Sequence, residues 1–174
     1  MTFEFNLKGS KRGAIAALAG ALLLGLGALV NADTNKKSSF AGTSTLVAAD
    51  IESADGTRTH EYGEHPKGRM MIDDKGRYSI QIYQPELPNF AANESEPTPK
   101  EYHDVLEAAS THFGQITVDW TNHVLRMAID GALYPNLRGS VQARPFQFDG
   151  KVLSYRIPPT PEKVVRISVW RREK

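Results

Sequence analysis

The sequence predicts an all-β domain in which about eight to nine short strands form an antiparallel up-and-down barrel, with one short helix. Three observations support this fold class. Apolar and polar residues alternate with a period of two from Phe40 onward, which is typical of half-buried strands. Turn residues recur about every 8 to 12 positions. Two of these turns, Asp73–Gly76 and Asp149–Gly150, are typical of tight hairpins, which connect antiparallel neighbours.

The first half of the domain contains four predicted strands. They span residues 43–53, 58–62, 69–72 and 77–84. Residues 54–57 form the first turn, and Gly76 closes the hairpin between the third and fourth strands because glycine adopts positive φ at low cost. The fourth strand alternates two sets of side chains, and the alternation alone leaves open which set faces inward. The sets are Tyr78, Ile80 and Ile82, and Ser79, Gln81 and Tyr83.

A proline-rich segment over residues 85–99 interrupts the strands, since proline cannot donate to a ladder. It ends in a typical helix start, with Thr98 as the N-cap, Pro99 in the first turn and Glu101 reaching back to the cap. We expect an amphipathic helix over residues 99–110 that lies on the sheet as a lid or plug.

Strands resume after this helix and continue to the end of the chain. They are predicted over residues 114–120, 123–133, 141–148, 151–157 and 164–171. A loop covers residues 134–139, and the proline-rich segment 158–161 forms a rigid connection. Closure of such a sheet into a barrel removes its edges and leaves an interior sized for side chains or one small ligand.

The N-terminal residues predict export. Three basic residues, Lys8, Lys11 and Arg12, precede an apolar run over residues 14–30, and small residues occupy positions 30 and 32. This pattern is typical of a signal peptide over residues 1–32 that is cleaved after Ala32, followed by a flexible lead over 33–39 and the domain over 40–174. The mature protein would then be periplasmic or secreted, without a membrane span. A retained membrane anchor is the alternative.

Composition narrows the function further. The chain has no cysteine, which excludes disulfides, thiol chemistry and lipoprotein attachment. Its formal net charge of +1 and scattered charges give no footprint for nucleic acid. No phosphate-cradling loop, dinucleotide fingerprint or nucleophile elbow occurs, so no cofactor is predicted. The oligomeric state stays open.

A series of short motifs occurs over about residues 41 to 171. They are Gly42-Thr43-x-x-Leu46-Val47, Asp55-Gly56, Pro66-x-Gly68-Arg69-Met70, Gly76-Arg77-Tyr78-Ser79, Thr98-Pro99-x-Glu101-Tyr102, Phe113-Gly114-x-x-x-Val118-Asp119, Tyr134-Pro135-Asn136-x-x-Gly139, Gln142-x-Arg144-x-Phe146, Asp149-Gly150-x-x-Leu153 and Val169-Trp170. In order and spacing they resemble the lipocalin-like domain family of small bacterial and fungal proteins. The resemblance implies a calycin-type barrel with an internal cavity, but no particular reaction.

One position departs from this family. Its members usually have a tryptophan after the opening Gly-Thr, where it closes the barrel floor, and this chain has Ser44 there. We expect either that another aromatic side chain, Trp170 or Phe40, fills the floor, or that the cavity is deeper.

The segment from His60 to His65 does not predict a metal site. Two histidines on a helix bind one ion when they are four residues apart, and here the separation is five. Gly63 and Pro66 oppose a helix, and on a strand an odd separation places the rings on opposite faces. A solvated turn is the preferred interpretation.

Polar residues of the predicted barrel are candidates for binding a ligand within an apolar wall. They are Gln81, Tyr83, Tyr102, His112, Arg144 and Tyr155. Arg144 lies on an apolar strand, and an inward arginine needs an anionic partner, either Asp130 or Asp119 or a ligand carboxylate. His112 would be an acid or base beside Asp119, Glu107 or Tyr102, or else a rim histidine at the helix C-terminus.

These observations favour a binding protein that holds a small hydrophobic or amphipathic molecule in the barrel, with the helix as its lid. The alternative is an isomerase, cyclase or lyase that uses His112, Tyr83, Arg144 and Tyr102 for acid–base catalysis, which requires two or more of them to converge in one pocket. A structural module with a filled core is the third possibility.

Overall fold

The computed structural model describes residues 40–87, 89–91, 96–159 and 164–174. The predicted signal peptide and the lead over residues 33–39 lie outside these residues. Within the described ranges, no helix has the length and apolar character needed to cross a membrane.

The described residues form nine strands and one α-helix, and this confirms the predicted all-β class with one short helix. A 3-10 turn at Pro135–Leu137 lies between β6 and β7. The elements are β1 (Gly42–Glu52), β2 (Arg58–His60), β3 (Lys67–Ile72), β4 (Arg77–Tyr83), α1 (Pro99–Glu107), β5 (Ala109–Asp119), β6 (Val124–Ala132), β7 (Val141–Phe148), β8 (Val152–Ile157) and β9 (Val165–Arg172).

Eight of the strands close into an antiparallel barrel. Its order is β1-β3-β4-β5-β6-β7-β8-β9, and β9 returns to pair with β1 from Ser44–Arg172 to Glu52–Val165. A register shift between Leu46 and Ala48 marks a bulge in β1. The short strand β2 is the ninth, and it pairs with the end of β1 at Asp50–Glu52.

The two predicted hairpins form through aspartate side chains that accept backbone hydrogen bonds. Asp73 accepts from the N–H groups of Lys75 at 2.9 Å and Arg77 at 2.8 Å. Asp149 accepts in the same way from the N–H groups of Lys151 and Val152. Gly76, at φ 80°, takes the left-handed conformation that the β3–β4 turn requires.

The helix begins as predicted but ends earlier. Thr98 accepts a hydrogen bond from the Glu101 N–H, and the Glu101 carboxylate accepts from the Thr98 N–H at 2.7 Å, which completes a capping box. The helix ends at Glu107 rather than at residue 110, and β5 begins at Ala109 rather than at Gly114. The prediction was wrong here because Ala109 continues the ladder with β4, opposite Tyr83.

Apolar side chains from alternate strand positions fill one half of the barrel. The largest is Trp170, which is fully buried. Phe40 closes this end: its ring stacks on Trp120 with 5.1 Å between centroids and meets Phe148 edge-on at 4.9 Å. Phe40 thus supplies aromatic packing at this end, and Trp170 belongs to the same buried cluster. A cavity lies at the opposite end of the barrel.

Candidate functional site

A cavity of about 320 Å³ occupies the barrel end opposite Phe40. Strands β4, β5, β7, β8 and β9 contribute its wall, because their residues at alternate positions point into the barrel. The apolar part of the lining is Ile82, Leu106, Leu133, Leu137 and Ile157. Leu106 and Glu107 come from the last turn of α1, so the helix lies at the rim.

Arg144 is the cationic group buried in this wall. It lies at an inward position of β7 and is 2% exposed. Its Nε and Nη2 both donate to the Gln142 side-chain oxygen, at 3.1 and 2.6 Å, and its guanidinium lies 5.1 Å from the centre of the Tyr155 ring. Its Nη1 is buried and has no hydrogen-bond partner in the described part of the chain. The guanidinium is therefore held in place but only partly satisfied.

The internal ion pair expected for Arg144 is absent from the described residues. Asp130 is exposed on β6, between the inward positions of that strand. Asp119 lies near the filled end of the barrel, where its carboxylate accepts from the Asn122 N–H at 3.0 Å and the Asn122 amide at 2.8 Å. The predicted pairing with either aspartate is wrong because neither carboxylate faces the cavity.

His112 lies at an inward position of β5 and is 6% exposed. Its Nδ1 is 2.9 Å from the Tyr78 hydroxyl, and the two rings meet edge-on. Burial, reinforced by the positive charge of Arg144, lowers the pKa of His112 to about 3. Burial raises the pKa of Tyr78. Both groups are therefore uncharged near neutral pH.

The expectation of a rim histidine at the helix C-terminus is wrong, because the strand begins before His112 and carries it into the barrel. None of the partners expected for it, Asp119, Glu107 or Tyr102, accepts its hydrogen bond. The described partner is Tyr78. Register explains the pair: β5 places His112 opposite Ile80, two residues along β4 from Tyr78.

An ion pair lies at the mouth of the cavity. Arg166 donates through Nε to the Glu61 carboxylate, which neutralises both charges. Beside it, Tyr62 is 8% exposed, and burial raises the pKa of its hydroxyl to about 12. The mouth is therefore polar but electrically balanced at these residues.

A family model described as a lipocalin-like domain matches residues 41–172, which is well over half of the chain. The chain belongs to the lipocalin-like domain family. A solved structure of a redesigned β-barrel is similar over 79% of this chain and 95% of its own, with 10% identity and a TM-score of 0.39. No curated protein matches. Membership of the lipocalin-like domain family supports a ligand-binding protein in general.

Three of the six predicted ligand residues line the cavity of this lipocalin-like barrel: His112, Arg144 and Tyr155. Gln81 and Tyr83, which were candidates if their set of side chains faced inward, lie on the outer face of β4. Tyr78, Ile80 and Ile82 take the interior positions of β4, so the period of two turns their neighbours outward.

Tyr102 also lies away from this cavity, since it is 58% exposed on α1. Of the four residues predicted for an acid–base enzyme, His112 and Arg144 line this cavity, whereas Tyr83 and His112 both border a separate depression at the outer side of β4 and β5. Tyr83 and Tyr102 lie on outer surfaces of the lipocalin-like domain.

Sequence reasoning missed Gln142 and Tyr78. Gln142 precedes Arg144 by two positions on one strand, and residues two apart share a face, so that signal was present. The alternation predicted a strand at Tyr78. It did not predict the contact with His112, because that contact depends on the pairing of β4 with β5.

The histidine-rich segment of the lipocalin-like domain forms a side-chain pair across two strands. His60, on β2, lies with its Nδ1 2.9 Å from the Asp50 carboxylate on the neighbouring strand β1. Across the described ranges, no group of three or more side chains is arranged to hold a metal ion.

Proposed function

We propose that the protein is an exported binding protein that holds a small, largely apolar molecule in the open half of its barrel. The observation that carries this proposal is the cavity of about 320 Å³, which lies above a packed and aromatic-capped half of the same barrel. Ligand pockets commonly combine an apolar wall with a few polar groups that fix orientation. Here Arg144, Gln142 and His112 are those polar groups.

The cavity limits the size of the ligand. An engineered cavity of about 150 Å³ is large enough for benzene. A cavity about twice that size holds roughly a dozen non-hydrogen atoms. The ligand is therefore a small molecule rather than a long lipid held end to end.

Helix α1 fits the role of a lid. None of its residues is buried, yet Leu106 and Glu107 line the cavity rim. Elements with few buried contacts open at low free-energy cost, and lids are drawn from such elements. Opening of α1 would give a ligand its route into the barrel.

Export is the second part of the proposal, and the leader over residues 1–32 supports it. The test is to express the full chain with a C-terminal tag in a bacterial host and to measure the mass of the protein released from the periplasm. A product that begins at Asp33 is expected. Full-length protein recovered from the membrane fraction would contradict cleavage.

Ligand binding is tested with protein recovered from such exporting cells. We expect solvent extraction to release a small molecule, and a neutral fluorescent probe such as N-phenyl-1-naphthylamine to bind saturably. Ser110→Phe narrows the cavity and should weaken probe binding, whereas Ser79→Phe, on the outer face of β4, should not. Absence of both a retained molecule and saturable binding would refute the proposal.

An acid–base enzyme in the same cavity is the second candidate, and one observation favours it. His112 lines the cavity and is hydrogen-bonded to Tyr78, so a histidine and a tyrosine, both common acid–base groups, meet at the cavity wall. Chemical conversion of the extracted molecule, abolished in His112→Gln while binding persists, would establish turnover. Recovery of that molecule unchanged after long incubation would contradict turnover and favour a binding protein.

A further inference from the structure

The positive charge of Arg144 has no counter-charge in the described protein. A buried, unpaired charge is costly, and buried arginines are normally paired with an anion. Two carboxylates line the same cavity, those of Glu61 and Glu107. Glu61 is bound by Arg166 at the mouth, and Glu107 is exposed on α1 and forms no ion pair with Arg144. A complementary anion must come from outside the described residues.

The guanidinium is already oriented for such an anion. Gln142 holds Nε and Nη2, and the Tyr155 ring lies against the guanidinium, which leaves Nη1 as the donor to be satisfied. One other buried donor lacks a partner among the described residues, Nε1 of Trp170, but that side chain does not line the cavity. The unpartnered donor that belongs to a cavity-lining side chain is therefore Nη1 of Arg144.

The surrounding groups favour a group that accepts hydrogen bonds. The Gln142 side-chain oxygen is occupied by the guanidinium, so its amide nitrogen remains as a donor. His112 is neutral and adds no second positive charge at this depth. One cation with a neighbouring amide donor matches a singly charged carboxylate, whose two oxygens can accept from Nη1 of Arg144 and from the Gln142 amide.

The apolar part of the ligand has a defined place. Arg144 lies in the middle of β7, opposite Leu125, whereas Ile157 ends β8 and Leu106 lies on α1 at the rim. A ligand whose anionic group reaches Arg144 would place its apolar part between Arg144 and helix α1. The ligand would therefore bind with its anionic group inside the barrel and its apolar part towards the rim.

We propose that Arg144 binds the anionic head group of the ligand, and that the cavity takes small amphipathic monocarboxylates. This inference rests on the cavity being a binding site, as proposed above, and names the chemical class of its guest.

The experiment compares octanoate with octanamide, octylammonium and acetate by isothermal titration of the exported protein freed of retained ligand. A charge-assisted hydrogen bond is worth about tenfold or more in affinity over a neutral one. We expect octanoate to bind about tenfold or more tightly than octanamide. Octylammonium and acetate are expected to bind weakly or not at all, because the first carries the wrong charge and the second lacks the apolar body.

Two variants test whether Arg144 causes the preference for octanoate over octanamide. Arg144→Gln should bring octanoate affinity down to that of octanamide and leave octanamide binding unchanged. Arg126→Gln, which removes an exposed arginine on the outer face of β6, should leave both affinities unchanged. The comparison of the four compounds on the unaltered protein needs no variant, so it decides the question even where Arg144→Gln fails to fold.

Each remaining outcome overturns the inference in a recognisable way. Equal binding of octanoate and octanamide would refute head-group recognition and leave the proposed binding function intact. Acetate binding as tight as octanoate would show an anion site without an apolar component. Loss of binding for all four compounds together with the neutral probe would instead refute the binding function itself.

Discussion

Tyr78 and His112 meet inside the barrel, with 2.9 Å between the tyrosine hydroxyl and the histidine Nδ1. They lie on neighbouring strands, β4 and β5, and both are buried. Arg144, on β7, is the charged group whose field lowers the pKa of His112, in addition to the larger effect of burial. The pair is thus a hydrogen-bonded neutral unit beside a cation, and both its charge state and its hydrogen bond can be tested.

Acid should destabilise the fold through His112. In the unfolded chain this histidine titrates near 6.5, whereas in the folded state its pKa is about 3. Between these values the unfolded state binds a proton that the folded state does not, so the free energy of unfolding falls as pH decreases from 6.5 towards 3. At pH 5 the loss from this group relative to pH 8 is about 2 kcal/mol, and urea unfolding at the two pH values measures it.

The matched variants for this test are His112→Gln and His103→Gln. The first lacks the titrating group and should show a smaller difference between pH 5 and pH 8. The second removes an exposed histidine of α1 and should behave as the unaltered protein does. Identical pH dependence in all three proteins would contradict the role of His112.

Removal of the Tyr78 hydroxyl should destabilise the protein at neutral pH. Tyr78→Phe leaves the buried His112 Nδ1 without its partner, which costs about 1–3 kcal/mol in free energy of unfolding. Tyr83→Phe makes the same chemical change on the outer face of β4 and should stay within about 0.5 kcal/mol of the unaltered protein. Urea unfolding of both variants at pH 8 is the measurement, and equal effects would show that the hydrogen bond contributes nothing.

The strands were predictable because both their turns and their alternation are local signals. Asp73 and Gly76 determine one hairpin through contacts within the turn itself. The end of α1 was not predictable in this way. No glycine or proline stops the helix after Glu107, and the boundary is set by the ladder that joins Ala109 to Tyr83, a partner distant in sequence.

The candidate site was partly predictable for the same reason. Arg144 was identified because a charged residue on an apolar strand is conspicuous in any sequence. Gln81 and Tyr83 were misplaced because the inward face of a strand depends on what all of its neighbours contribute to the interior. His112 was named as a candidate, but its place inside the barrel depends on where β5 begins. Long-range pairing, rather than local pattern, therefore decides which polar groups converge.

Phe40 should be essential for closing the filled end of the barrel. Its ring contacts those of Trp120, Phe146 and Phe148, and it is 5% exposed. Phe40→Ala should lower the free energy of unfolding by about 3–5 kcal/mol because it removes a buried ring and leaves a cavity. Phe113→Ala, at a ring that is 55% exposed, should have a much smaller effect in the same urea titration. Comparable losses in the two variants would show that the end cluster does not stabilise the barrel.

Two glycines, Gly114 and Gly131, lie at the bulge between β5 and β6, and we expect only Gly114 to be strongly sensitive to replacement by alanine. A Cβ at Gly114 would lie 2.0 Å from the Ala128 carbonyl oxygen, a backbone atom that cannot rotate away. Gly114→Ala should therefore lower the free energy of unfolding by about 3 kcal/mol. A Cβ at Gly131 would meet only the exposed Phe113 ring, which can move, so Gly131→Ala should lose less than about 1 kcal/mol. Thermal or urea unfolding that ranks the two variants in the reverse order would contradict this account.

Loosening the start of α1 should speed ligand exchange without unfolding the barrel. Thr98→Ala removes the N-cap side chain, which costs the helix about 1 kcal/mol. Since α1 has no buried residue, its opening leaves the core intact, while Leu106 and Glu107 leave the cavity rim more often. Amide exchange in α1 should accelerate, and the association and dissociation rates of the neutral probe should both rise. Lys100→Ala, which removes an exposed ion pair with Asp104 from the same helix, is the matched control and should change these rates little. Faster exchange in α1 with unchanged probe kinetics would show that the guest enters by another route.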